Sequence, residues 1–328
     1  MNTFQVSFIV IAYNAGNTIS SCIESILAQK VDKQVILVDN NSTDGTADKV
    51  KDLPVSIVFE SERCRGIARN RGLEAAKGDF IAFVDADVEL PDNWATCALS
   101  LLAKHPDAVA VGGPGLTPSN TWIAKAMDSM QYGVILGNDS KYVTALPTMD
   151  IIYHAKAITS KRFSNLWVAE DAEFNFQLVD EGYHFLWSRD LAVTHHHVNS
   201  LTQLLTRSYR YGMWFLAPYQ RHPKMITAGV IVRVIYLPLL LILGVLIFLI
   251  PIVRYLFFLW LIMPIATYTV LALSSKNSNS LVARIQFVIV HGLKQYAQMM
   301  GIWVGILKGT GRISKGSESD FQCGNRHE

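Results

Sequence analysis

The chain has little of what would place it quickly. Its four cysteines, Cys22, Cys64, Cys97 and Cys323, form no CxxC pair and no dense framework. That spacing predicts reduced, structural thiols rather than a zinc site or a disulfide scaffold. Basic residues form no block and the formal net charge is only +2, which argues against a nucleic-acid partner. The opening MNTFQVSFIVIAYN lacks a charged n-region and a small-residue cleavage site, so no export signal is expected. Neither an internal repeat nor a long low-complexity segment is present.

Apolar residues, by contrast, make up 50% of the 328 positions, enough for one large domain and an appendage. They concentrate after Gly229. Residues 234–250 and 255–273 each approach the roughly 20 residues needed to cross a bilayer core, and only Pro251–Arg254 separates them. This predicts a membrane hairpin with a tight turn. Residues 281–307 are long enough for a third span but carry Arg284, His291, Lys294, Gln295 and Gln298, which favours an amphipathic helix lying in the interface. Lys and Arg after the hairpin predict a cytoplasmic return. The expected organisation is a domain over 1–225, a membrane region over 226–310 and a flexible tail over 311–328. It sits at the cell (inner) membrane with the large domain on the cytoplasmic side.

Before the hairpin, strand-like and helix-like patterns alternate. VSFIVIAY, QVILVDN, VSIVFE, DFIAFVDAD and DAVAVGG read as strands separated by helical segments. The expected fold is therefore α/β, a mostly parallel sheet flanked by helices. Ligands of such sheets bind beyond the carboxyl ends of the strands.

One strand ends in Asp85-Ala86-Asp87. Side chains at i and i+2 share a face, so two carboxylates converge where the strand stops. They repel unless solvated, protonated or bridged by a cation, and hard oxygen donors suit Mg²⁺ or Mn²⁺. An acidic surface turn or a helix cap is the competing reading.

Neighbouring motifs bear on that choice. IVIAYNAGNTISSCIESILAQ, VILVDNNSTDGTAD, GIARNRGLEAAKGDFIAFVDADVELPDNW and EDAEFNFQLVDEGY occur in this order. Over about Val6–Gly212 the series resembles the family 2 glycosyltransferases, with their Rossmann-like GT-A fold. The hairpin behind it resembles the exopolysaccharide, succinoglycan-type members. The resemblance implies a nucleotide-diphospho-sugar donor bound through Tyr13, Asp39 and Asn41, with Asp44 supporting the turn. Ala12 and Asn40 stand where the family often has proline and aspartate. It further implies a basic contact at Arg71, a divalent cation at Asp87 and Asp85, and a catalytic base at Asp171 beside Glu170. His195, with His197 second, would complete the metal site. Arg210, in RSYRYG, would approach the diphosphate or the membrane interface.

Gly113 would let backbone approach the donor sugar, although a plain turn serves equally. The expected reaction is metal-dependent, inverting transfer of a sugar to a polyprenyl-linked glycan acceptor in surface polysaccharide assembly. Transfer directly onto polyprenyl phosphate, or a non-catalytic nucleotide-binding scaffold, are the alternatives. A processive synthase is disfavoured, because the spans are few and no QxxRW stretch occurs.

Overall fold

The structure is a computed structural model that describes residues 4–118, 121–128, 140–196, 200–246, 250, 253–274 and 281–310. The predicted tail 311–328, His197 and residues 247–249 of the first predicted span lie outside the described residues. The chain divides into two compact units, one built from 1–118 and 138–196 and the other from 119–137 and 197–313.

The first unit begins with β1 (Phe4–Ala12), α1 (Ile19–Leu27), β2 (Lys33–Asp39), β3 (Ser56–Phe59), α2 (Arg65–Ala75) and β4 (Gly78–Asp85). It continues through β5 (Val88–Glu89), α3 (Trp94–Lys104), β6 (Ala108–Gly112) and β7 (Gly115–Leu116). The chain then enters the second unit for α4 (Trp122–Asp128). It returns for β8 (Lys141–Val143), β9 (Asp150–His154), α5 (Ala155–Ile158), α6 (Glu170–Asp180), β10 (His184–Trp187) and β11 (Val193–His195).

Eight strands form the main sheet in the order β3-β2-β1-β4-β9-β6-β10-β8. β3, β2, β1 and β4 run parallel. β9 is antiparallel to both β4 and β6, and β8 is antiparallel to β10. The sheet is thus mixed. A short strand buried on both faces carries no alternation, so its apolar pattern reads alike in either direction. The buried core includes Phe8 beside Trp94, with ring centroids 6.4 Å apart. Phe163 stacks on Phe174 at 3.8 Å and meets Phe83 edge-on at 5.2 Å, which packs α6 against β4. Cys22 and Cys97 are free thiols.

A second, three-stranded sheet, β5-β11-β7, was not foreseen. Its strands have two or three residues each, too few for any periodicity to register.

The second unit is helical. After α4 it comprises α7 (Leu201–Trp214), α8 (Ala217–Arg221), α9 (Ala228–Leu246), α10 (Val253–Ser274) and α11 (Leu281–Lys308). α7 and α11 meet backbone to backbone. A Cβ on Gly301 would lie 2.0 Å from the Tyr209 carbonyl oxygen, and one on Gly212 would lie 2.1 Å from that of Gln298. His291, counted in the sequence among the polar residues of an interfacial helix, is buried and faces the Ala126 carbonyl at 3.2 Å. Gln295 donates to the Tyr268 hydroxyl at 2.8 Å. Much of the polarity of α11 therefore serves helix packing.

Ala228–Leu246 and Val253–Leu273 are long and apolar enough to cross a bilayer, with mean hydropathies of 2.5 and 2.1. Only 11% and 17% of their most apolar stretches are buried, so they are unlike the core helices of a soluble fold. Each contains a proline, Pro238 and Pro264. Pro238 has no N–H to give the Val234 carbonyl one turn back, and the Trp303 indole N–H donates to that oxygen at 2.7 Å. The Leu261 carbonyl, just before Pro264, accepts from the Tyr236 hydroxyl at 3.0 Å and from that of Tyr296. At Pro238 the Trp303 side chain thus replaces a ladder bond where no water could.

Trp303→Phe is expected to lower stability by about 1–3 kcal/mol, the cost of an unsatisfied buried acceptor. Adding Pro238→Ala, which restores an N–H, should recover part of the loss. Thermal unfolding of the four-member cycle in detergent would check this, and additive losses would refute it.

Candidate active site

The register of the parallel strands assembles the site edge. Ala12 pairs with Asp39 across β1–β2, and Ile11 pairs with Asp85 across β1–β4. Tyr13, Asp39 and Asp85 therefore share one carboxyl edge of the sheet.

At β1–β2 the loops interlock. The Asp39 carboxylate accepts from the Ser42 N–H at 3.1 Å. Asn14 Oδ1 accepts from the Thr43 N–H at 2.8 Å, and the Asn14 N–H donates to the Ser42 hydroxyl at 3.0 Å. Asn14 and Asn41 take left-handed backbone, with φ of 51° and 65°, a conformation asparagine tolerates well. The Thr46 hydroxyl and the Gly16 N–H hold the Asp44 carboxyl below its ordinary range. Asp44 thus supports the turn. The Tyr13 ring is 41% exposed, with the Arg63 guanidinium 3.8 Å from its centroid on one face. Asn41 is exposed and donates to the Ser61 carbonyl at 3.2 Å.

Asp85 closes β4 and Asp87 follows in the turn before β5. The small sheet then brings in the histidines. His195 pairs with Val88, and the His196 N–H donates to the Asp87 carbonyl at 3.3 Å. His195 Nε2 thereby stands 3.4 Å from Asp87 Oδ2. A Cβ on Gly115 would lie 2.9 Å from the His195 Cβ and 3.0 Å from its Nδ1, so a glycine on β7 leaves the imidazole its place. His196 turns the other way, toward Glu89 at 3.5 Å. His195 and His196 thus face opposite ways, as strand alternation requires.

Arg69, on the inner face of α2, is the residue whose position the sequence did not single out. It forms a buried ion pair with Glu170 and lies 3.8 Å from Asp85. The end of β4 is thus tied to the start of α6. Arg71 is instead largely exposed and pairs with Glu60 at 2.9 Å and Glu74 at 3.4 Å. Burial raises the Glu170 carboxyl above its ordinary value, Arg69 opposes this, and Asp171 adds to it. Loss of hydration likewise raises the Asp85 carboxyl, against Arg69 and with Asp87. Ala169, with φ 69°, turns the chain into α6. Asp171 sits half-buried in the first turn, where its Oδ1 accepts from the Ala172 N–H at 2.8 Å. Glu173, one turn on, is buried and accepts from Gln177 at 3.0 Å.

The Gly113 N–H donates to Asp150 Oδ2 at 3.1 Å, and a Cβ there would lie 2.3 Å from the Leu191 carbonyl oxygen. Its close approach is therefore to backbone at Leu191. Asp150 is buried, and burial holds its carboxyl well above the ordinary range. The only sequence signal for Asp150 was an acid opening an apolar strand. Arg210 belongs to the second unit, exposed on α7.

Among the described residues no three His, Cys, Asp or Glu side chains converge as a metal cluster. Asp87 and His195 form a two-donor pair, with Asp85 drawn toward Arg69. Such a set fits a divalent cation that takes its remaining ligands from a diphosphate.

Residues 7–165 match the model of Glycosyl transferase family 2, and the chain carries a family 2 glycosyltransferase domain.

Over 101 residues the chain is 41% identical to the UDP-Glc:alpha-D-GlcNAc-diphosphoundecaprenol beta-1,3-glucosyltransferase WfaP of Escherichia coli, covering 29% of this chain and 38% of that protein. It is 42% identical over 88 residues to the succinoglycan biosynthesis protein ExoO of Rhizobium meliloti (strain 1021), covering 25% of each. The chain spans 33–43% of the length of the curated relatives it matches first. The mannosyltransferase PcManGT of Pyrobaculum calidifontis, solved in complex with GDP-Man and Mn²⁺, shares the fold. Its TM-score is 0.57 at 16% identity, covering 93% of this chain and 88% of that one.

Proposed function

We propose that the protein is a membrane-bound inverting glycosyltransferase. It moves a sugar from a nucleotide-diphospho-sugar to a lipid-linked glycan acceptor in surface polysaccharide assembly. The observation that carries this reading is Arg69, which joins Asp85 at the end of β4 to Glu170 beside Asp171. One guanidinium thus links the edge that would hold the donor to the helix that would hold the base. The relatives' named substrates, a UDP-sugar and a diphosphoundecaprenol-linked sugar, support the choice of donor and acceptor.

In this reading Tyr13, Asp39 and Asn41 receive the nucleotide. Asp171 takes the proton of the acceptor hydroxyl as its oxygen bonds to the anomeric carbon, and the bond to the diphosphate breaks with its electron pair leaving on the diphosphate. Asp87 and His195, with Asp85, would hold Mg²⁺ or Mn²⁺, which supplies charge neutralisation of the departing diphosphate. Arg69 fixes the direction of Asp171 through its neighbour Glu170. The apolar helices would anchor the chain in the bilayer, with the catalytic domain on the cytoplasmic side.

Membrane extract given radiolabelled sugar nucleotides is expected to yield a lipid-soluble labelled product. EDTA should abolish it and added Mn²⁺ or Mg²⁺ restore it. Absence of any such product across UDP-, GDP- and dTDP-sugars would sink the reading.

A further inference from the structure

Arg63 lies outside the motifs that carry the family resemblance, yet it stands over one of their residues. It precedes α2 by two positions and is exposed. Its guanidinium carbon is 3.8 Å from the centroid of the Tyr13 ring, well inside the range of a cation–π contact. Among the described residues Arg63 has no ion pair and no hydrogen bond. The ring of Tyr13 thus holds one side of the cation, and the N–H donors of the guanidinium are uncommitted.

The loop that carries Arg63 hangs from the end of β2. The Glu60 N–H donates to the Asp39 carbonyl at 2.9 Å, and the Cys64 N–H to the Glu62 carbonyl at 2.8 Å. The Glu60 carboxylate accepts from the Glu62 N–H at 2.8 Å. Asn40, only 6% exposed, braces the loop from below. Its amide donates to the Glu62 carbonyl at 2.6 Å and to the Glu60 carbonyl at 3.4 Å. The chain is therefore fixed at the residue just before Arg63. Asn40 is also the position at which the family often has aspartate. A carboxylate there has no N–H to give and would set its charge against two carbonyl oxygens. The asparagine of this chain is what lets the loop hold Arg63 over Tyr13.

We propose that Arg63 is a further donor-binding residue, which receives the nucleobase on its outer face in a stack of ring, guanidinium and base, with Asn40 as its positioning residue. At 3.8 Å the guanidinium and the ring leave no room for a base between them, so a base meets the pair from outside. A guanidinium is planar, weakly hydrated and stacks on π faces. Placed between two such faces, it is attracted to both. Every base has a π-face, so this contact sets affinity rather than the choice of base. Because the loop already holds Arg63 in place, little ordering is left to oppose binding. The identity of the ligand rests on the nucleotide-sugar reading, whereas the braced cation on Tyr13 does not.

The test is calorimetric titration of the full chain in detergent with Mn²⁺ present, using UDP, GDP and inorganic pyrophosphate as probes. Arg63→Ala is expected to weaken UDP and GDP by about tenfold each, within the range of one base stack, and to leave pyrophosphate unchanged. Arg63→Lys keeps the charge without the plane and should recover only part of the loss. Asn40→Asp should weaken UDP to a similar degree. Combined with Arg63→Ala it should bind UDP no more weakly than Arg63→Ala alone, because both changes remove one contact. Additive losses would remove Asn40 from the positioning role. Unaltered UDP affinity in Arg63→Ala would overturn the stack. An equal loss of pyrophosphate would put the guanidinium on the phosphates, and full recovery by Arg63→Lys would show charge alone at work; either overturns it too. If Arg63→Ala weakens UDP while the wild type transfers no sugar, the stack stands and the transferase reading falls. If the wild type transfers sugar and Arg63→Ala leaves UDP affinity untouched, the reverse holds.

Discussion

Asp171→Asn is expected to reduce sugar transfer by about 10²–10⁴-fold, the usual contribution of a positioned general base. Donor KM should stay near the wild-type value. The amide keeps the shape and can still meet the Ala172 N–H through its oxygen, but it cannot take a proton from the acceptor hydroxyl. The first turn of α6 also carries Glu170 and Glu173, yet neither is placed to substitute. Glu170 is committed to Arg69 and Glu173 is buried beneath Gln177. The loss should therefore fall on kcat. Steady-state kinetics with a synthetic lipid-linked acceptor would measure it, and turnover within roughly tenfold of wild type would remove Asp171 from the role.

Arg69→Met should have the largest effect on stability. It leaves Glu170, with a side chain 3% exposed, as a buried carboxylate without its counter-charge. Breaking such a pair costs about 3–5 kcal/mol. The contact with Asp85 adds little to that figure, since it is 3.8 Å long and Asp85 is 36% exposed. Pairing the change with Glu170→Gln removes the stranded charge, so the double variant should regain most of the stability. It should not regain activity, because the link between β4 and the Asp171 turn is gone. Urea unfolding of the single and double variants, beside their transfer rates, separates the two consequences. A double variant with full activity would show that Arg69 is only a structural tie.

The glycosyltransferase match is confined to residues 7–165, yet residues beyond it in the same unit pair with residues inside it, Glu170 with Arg69 and His195 with Asp87. α6 brings Glu170 and Asp171, and β11 brings His195.

Much was legible in the sequence for a simple reason. β1, β2 and β4 are buried apolar runs that give way to polar or acidic residues at their carboxyl ends, and such a switch marks the carboxyl edge of a parallel sheet. Asp85 stood out by that local pattern, whereas Tyr13 and Asp39 were named through the resemblance of the surrounding motifs. The two apolar helices were equally local, since length and hydropathy suffice. Tertiary structure decided what depends on partners distant in the chain. β9 runs antiparallel because its neighbours β4 and β6 dictate its pairing, and nothing in DIIYH records a direction. Arg69 and Arg71 are two residues apart on one helix and look alike in sequence. Only the packing of α2 sets Arg69 between Asp85 and Glu170, and sends Arg71 out to Glu60. Charge, spacing and hydropathy are properties of the chain, whereas the partner of each charge belongs to the fold.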